Sequence, residues 1–204
     1  MQAQEKPLGF ESREQYDRCR SELQDALRKS GLNDADVRLK GSSGSFFSSN
    51  PDKVFPKSEE TLVAQAHDAK AAPSDVVAKW RASPYAERDA DDLPNQHFWD
   101  SRHNLGLDSA RSDYDVQISS KALAEHMDTR YPESVDNRGR SIFSEHGGHY
   151  RDSIVRAEFS ALDTWSKRWQ GELGREVNLA SFSDTGPEEE SAFKESDWIV
   201  QKPR

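Results

Sequence analysis

The stretch Arg111-Ser112-Asp113-Tyr114-Asp115-Val116-Gln117-Ile118 decides how this chain is read. It alternates polar and apolar residues with the period of two that marks a strand, and it carries two carboxylates two positions apart. Side chains i and i+2 of a strand share a face, so Asp113, Asp115 and Gln117 line one side while Tyr114, Val116 and Ile118 pack the other. Acids spaced about 7 Å along one face repel each other and lower stability unless something offsets their charge. A divalent cation is the usual offset, and a solvated acidic strand face is the plain alternative.

Upstream, Val37-Arg38-Leu39-Lys40 alternates in the same way and predicts a second strand. It stops abruptly in Gly41-Ser42-Ser43-Gly44-Ser45-Phe46-Phe47. Glycine permits close backbone approach, and serine hydroxyls with exposed N–H groups can receive anions; an ordinary flexible Gly/Ser loop has the same composition. Before that strand, Ser12 and Gln15 read as a capping box. Tyr16, Cys19, Leu23, Ala26 and Leu27 follow at helical spacing, and Ser30-Gly31 closes a helix of about five turns.

Between the two strands, Pro51, Pro56, Pro73, Pro84 and Pro94 divide the chain into short pieces. Ser58 is placed to cap a helix carrying Leu62, Val63 and Ala66, and Ser74 one carrying Val76, Val77 and Trp80. The segment 83–110 has no period; its run Asp89-Ala90-Asp91-Asp92 reads as a solvated loop, tethered by Phe98, Trp99, Leu105 and Leu107.

Downstream, Lys121 to Met127 predicts a short helix capped by Ser119 or Ser120. A polar connection over 131–149 holds Arg138, Arg140 and the pair His146 and His149, which lacks the further ligands a zinc site needs and reads as a loop. From Tyr150 to Leu173 an apolar stripe through Val155, Phe159, Leu162 and Trp169 predicts the longest helix of the chain, ended by Gly174. Residues 176–182 alternate again and predict a third strand, with Asn178, Ala180 and Phe182 on one face. After the acidic run Glu188-Glu189-Glu190, Trp198-Ile199-Val200 either returns as an edge strand or docks the tail.

Composition bounds the function classes. The chain of 204 residues suits one large domain, and 33% hydrophobic residues with 32% charged predict a modest core and long irregular surface segments. A net charge of -9 argues against a nucleic-acid partner gripped through its phosphates. Cys19 is the single cysteine, so no internal disulfide forms; a reducing, cytoplasmic setting is expected, with Cys19 as a small buried residue. No apolar run is long enough for a bilayer and no signal-peptide pattern opens the chain, so no membrane partner is expected.

The order of helix, strand, Gly-Ser loop, inserted segment, Asp-x-Asp strand, helices and strand resembles the nucleotidyltransferase superfamily of the polymerase-β type. Leu39-Lys40-Gly41-Ser42 and Ser112-Asp113-Tyr114-Asp115-Val116 carry the resemblance, in short segments covering about half the chain. It implies an α/β (α+β) domain spanning 1–204, with a mixed sheet flanked by helices and an insertion over 48–110. It also implies that Asp113 and Asp115 hold Mg2+ or Mn2+ with a nucleoside triphosphate, and that Gly41, Ser42 and Ser45 receive its phosphates. The implied activity moves a nucleoside monophosphate onto a hydroxyl of a small molecule or protein. The third position, where the superfamily carries another acid, falls on Asn178, and an amide is no general base at neutral pH. Glu158, Asp163 and Asp184 lie near it in sequence. Three alternatives stand beside this reading. Asn178 suggests a nucleotide-binding protein with reduced or no catalysis, and Arg38-Leu39-Lys40 followed by Ser45 is similar to the signature of guanosine alarmone synthetases, which transfer pyrophosphate. A structural protein with a merely polar strand face would show no metal dependence of stability.

Overall fold

The computed structural model describes residues 6–40, 42–48, 52–144, 148–182 and 198–202. The chain divides into two units, Met1–Gly44 with Asp113–Arg204, and Ser45–Ser112.

The first unit is mixed α+β. Its helix α1 (Arg13–Lys29) starts where the Ser12 hydroxyl accepts the Gln15 N–H at 3.1 Å. Gln15 reaches back one residue further than a standard capping box, its Oε1 accepting from the Glu11 N–H at 2.7 Å. All five residues of the expected stripe are buried, and burial pushes the Cys19 thiol pKa up, so it behaves as an apolar group. Four strands, β1 (Asp36–Lys40), β2 (Tyr114–Ser119), β3 (Val177–Phe182) and β4 (Trp198–Gln201), form one sheet in the order β3-β2-β1-β4. β1 runs antiparallel to both β2 and β4, while β2 and β3 are parallel. The tail thus returns as an edge strand beside β1.

One sheet face supplies Leu39, Tyr114, Val116 and Val177, which meet Tyr16, Cys19 and Leu23 of α1 and Trp165 and Trp169 of a second helix, α8 (Ser160–Leu173). Trp169 is fully buried and still satisfies its indole N–H by donating to Glu22 Oε2 at 2.9 Å. The Tyr114 hydroxyl donates to the Leu8 carbonyl, which ties the N-terminal segment to β2.

The single long helix expected over 150–173 is broken. A separate helix α7 (Asp152–Glu158) ends at Phe159, whose φ -117 and ψ 78 leave the helical region before α8 begins. Neither proline nor glycine causes the break. Asp152 Oδ1 accepts the Leu179 N–H at 2.9 Å and Arg156 donates to the Val177 carbonyl at 2.7 Å, so α7 covers the edge of β3. α8 packs on α1 and the sheet face instead; one straight helix could not satisfy both. α1, with 17 residues, is therefore the longest helix described. The remaining helix of this unit, α6 (Lys121–Arg130), is capped by Ser120, whose hydroxyl accepts the Leu123 N–H at 3.1 Å.

A short helical turn, α2 (Ser42–Ser45), follows β1. Gly44 within it presses on the sheet: a Cβ there would lie 2.6 Å from the Leu39 carbonyl oxygen and 3.2 Å from the Trp198 N. Both neighbours are backbone and cannot swing aside. Gly44→Ala is expected to cost about 1–3 kcal/mol of stability by overpacking, measured by urea unfolding.

The second unit has its own core of Phe55, Leu62, Ala66, Val76, Trp80, Leu93, Leu105 and Leu107. Its helices are α3 (Glu59–Asp68), α4 (Pro73–Arg81) and α5 (Ser101–Leu105), and Ala90–Asp92 forms an exposed 3-10 turn. Ser58 caps α3 as expected, in a capping box with Thr61. Ser74 does not cap α4. That helix starts two residues earlier than a Ser74 cap would place it, with Pro73, whose fixed φ and missing N–H suit the first helical position, and Ala72 occupies the cap without a side-chain bond. Leu105 and Leu107 are buried in this unit's own core, and Phe98 packs against it.

His97 is 2% exposed within the second unit. Gln65 donates from Nε2 to the Val54 carbonyl at 2.8 Å, which turns its Oε1 towards His97 Nε2 at 3.1 Å. An amide oxygen only accepts, so His97 carries its proton on Nε2, and Nδ1 accepts from the Ser101 hydroxyl at 2.9 Å. Ser101 Oγ in turn accepts the Phe98 N–H at 3.0 Å. Among the described residues, no helix of either unit is long and apolar enough to cross a membrane.

Candidate functional site at one end of the sheet

Strand direction decides which residues meet. Because β1 is antiparallel to β2 and β3 is parallel to it, the C-terminal end of β1 adjoins the N-terminal ends of β2 and β3. Lys40 pairs with Asp115, and Asp115 pairs with Asn178. Residues directly opposite across adjacent strands share a face, so these three lie in a row on the face away from Tyr114, Val116 and Leu179.

Asp113 joins the row from just outside the ladder. The strand begins one residue later, at Tyr114, whose N–H donates to the Glu176 carbonyl at 2.9 Å. Asp113 is exposed, and its Oδ2 accepts from Asn178 Nδ2 at 2.9 Å. A carboxylate can only accept, so this contact fixes which end of the Asn178 amide faces Asp113.

The shared polar face is not uniformly solvated. Asp115 is half-buried, and Gln117 is 2% exposed, with its Nε2 donating to Ser119 Oγ at 3.2 Å. Arg38, opposite Gln117, holds Asp36 at 2.9 Å. Among the described residues of this row, Asp113 is the exposed acid, and a charged ligand met there loses the least hydration.

The Gly-Ser segment enters at that same end. Ser42 is half-buried at the start of α2. The neighbouring Ser43 is buried and spends its hydroxyl on the Lys40 carbonyl at 2.7 Å, locking the turn that follows β1. Gly41 and the side chain of Ser45, both expected at the phosphates, lie outside the described residues, as do His146 and Asp184.

Neither Glu158 nor Asp163 supplies the missing carboxylate. Glu158 accepts from the Tyr131 hydroxyl at 2.6 Å and lies 3.1 Å from His126 Nε2, joining α6 to α7. Asp163 pairs with Lys167 at 2.8 Å along α8. Arg140 is held by Asp136 at 2.8 Å inside its own loop, and the His149 and Phe182 rings meet edge to face, 5.4 Å between centroids.

Among the described residues, no group of three or more His, Cys, Asp or Glu side chains could hold a metal ion. Magnesium, however, is commonly bound by one or two carboxylates completed by water and substrate phosphates. Two aspartates at an open sheet end fit that kind of site and do not fit a protein-only cage. Asp113, Asp115 and Asn178 are legible in the sequence, whereas the bond from Asn178 to Asp113 is not; the parallel pairing that creates the contact joins segments about sixty residues apart and has no local signal. Comparison with protein-family models, with curated proteins and with solved structures returned no match.

Proposed function

We propose that the protein is a metal-dependent nucleotidyltransferase that moves a nucleoside monophosphate from a nucleoside triphosphate to a hydroxyl of a small molecule or protein. The observation that supports it best is the convergence of Lys40, Ser42, Asp113, Asp115 and Asn178 at one end of a mixed sheet, with Asp113 exposed and Asp115 half-buried. In this reading the fold is of the nucleotidyltransferase type. Asp113 and Asp115 would hold Mg2+ or Mn2+. Bound there, the ions would neutralise charge on the attacking and leaving oxygens of the transferred phosphoryl group. Lys40 adds positive charge beside Asp115, and the turn at Ser42 lets backbone N–H groups approach the distal phosphates. Asn178 holds the Asp113 carboxylate in place. Such catalysis is positioning plus electrostatics and needs no nucleophilic side chain.

A second reading, nucleotide binding without turnover, is favoured by one observation, the amide at the third position. Incubation with each labelled nucleoside triphosphate and Mg2+ or Mn2+ separates the two. Metal-dependent pyrophosphate release is the expected result; AMP as by-product would reassign the reaction to pyrophosphate transfer. Metal-dependent binding of a non-hydrolysable analogue without turnover would leave the binding reading, and no binding would overturn both.

A further inference from the structure

We infer that Asn178 is a positioning residue that makes metal uptake conditional on the triphosphate, so that Asp113 and Asp115 capture a divalent cation only as a metal–polyphosphate complex. This rests on the proposed nucleotidyl-transfer reading. The Asn178 amide occupies Oδ2 of Asp113 at 2.9 Å and presents the positive end of its dipole there. A cation approaching Oδ2 from that side meets a donor where an acid would have met it with a third negative charge. Asn178 is also the ladder partner of Asp115, so the residue whose amide holds Asp113 shares a sheet face with the second acid. Its hydrogen bond steadies Asp113 and partly offsets the repulsion between the two acids without a metal. Affinity for a hard divalent cation rises with the number of charged oxygen ligands, and here the protein offers two carboxylates; phosphate oxygens supply the remainder. The chain thereby avoids a permanently metal-loaded site and couples metal entry to substrate entry.

Asn178→Asp tests this directly. It replaces the donor by a third carboxylate in contact with Asp113, so the variant is expected to melt at a lower temperature than the parent without metal and to recover when Mn2+ is added. Mn2+ alone, titrated while the free aquo ion is followed by paramagnetic resonance, should bind the variant about tenfold tighter than the parent or better. A non-hydrolysable triphosphate analogue, followed by calorimetry, should bind the parent only when Mn2+ is present. Asn178→Ala guards against a variant that fails to fold: with the donor gone and no charge added, its Mn2+ affinity should equal or exceed the parent's. A fall in Mn2+ affinity in Asn178→Ala would show that Asn178 aids uptake of the free ion, as a ligand or by orienting Asp113, and would overturn the inference. Equal Mn2+ affinity in Asn178→Asp and the parent would overturn it too, while metal-dependent analogue binding by the parent would leave the nucleotidyl-transfer reading standing. Absence of analogue binding by the parent would overturn both.

Discussion

Asp113→Asn and Asp115→Asn are each expected to lower kcat/KM for pyrophosphate release by about a thousandfold, ~4 kcal/mol of transition-state stabilisation, with little change in folding stability. The two effects come from different links of the chain. Catalysis falls because an amide oxygen carries no formal charge and cannot hold the metal–triphosphate complex. Stability holds because Asp113 is exposed and its replacement still offers an oxygen to the Asn178 amide. Removing one of two like charges on one strand face also relieves repulsion, so the melting temperature should stay level or rise slightly. Residues that act as one unit are strongly non-additive, and the double variant should be scarcely worse than either single one. A protein in which Asp113 and Asp115 are only a polar strand face predicts the reverse: no loss of any activity and no metal-dependent change in stability. Steady-state pyrophosphate release, with melting curves on the same samples, decides between them.

How much of this was legible in the sequence depends on whether the signal was local. The stripe Tyr16, Cys19, Leu23, Ala26 and Leu27 is a one-helix pattern, and all five residues are buried on α1. The alternation in Val37–Lys40, Tyr114–Ile118 and Val177–Phe182 marks three strands, because in each the residues of one face are buried and apolar up to the last position of the pattern, while the first two strands carry polar residues on the other face. The break at Phe159 had no local signal; α7 turns away because Asp152 and Arg156 satisfy the backbone of β3, a partner far from them in sequence. The start of α4 was misplaced because serine and proline compete for the same helix end, and proline at the first position won. At the site, spacing alone put Asp113 and Asp115 on one side, yet only the parallel register of β2 with β3 brings Asn178 beside them. The burial of Gln117 was equally hidden, since alternation marks it as outward and does not tell what covers it.

Acidification from neutral pH is expected to remove about 3 kcal/mol of stability through His97 alone. Burial, reinforced by the Arg102 and Lys53 cations and partly opposed by Asp108, pushes its pKa from an ordinary 6.5 down to about 4. The folded state therefore takes up the proton later than the unfolded chain does. The contribution is fully present above pH 6.5, declines as pH falls towards 4, and is constant below that, when both states are protonated. The local geometry gives the same sign: Nδ1 is an acceptor from Ser101, and protonation turns it into a donor facing a hydroxyl oxygen that already accepts the Phe98 N–H. Carboxylates act lower. Asp136, held down to about 2 chiefly by the Arg140 backbone N–H, loses its stabilising effect only below its ordinary 3.8. Urea unfolding followed across the window, for the parent and for His97→Gln, separates the two: the variant should be less stable at neutral pH yet lose most of the slope above pH 4. The ring resonances of His97 should titrate near 4 in the folded protein; titration near 6.5 would show that the Gln65–His97–Ser101 network is open to water, and the predicted acid sensitivity of this unit would then be absent.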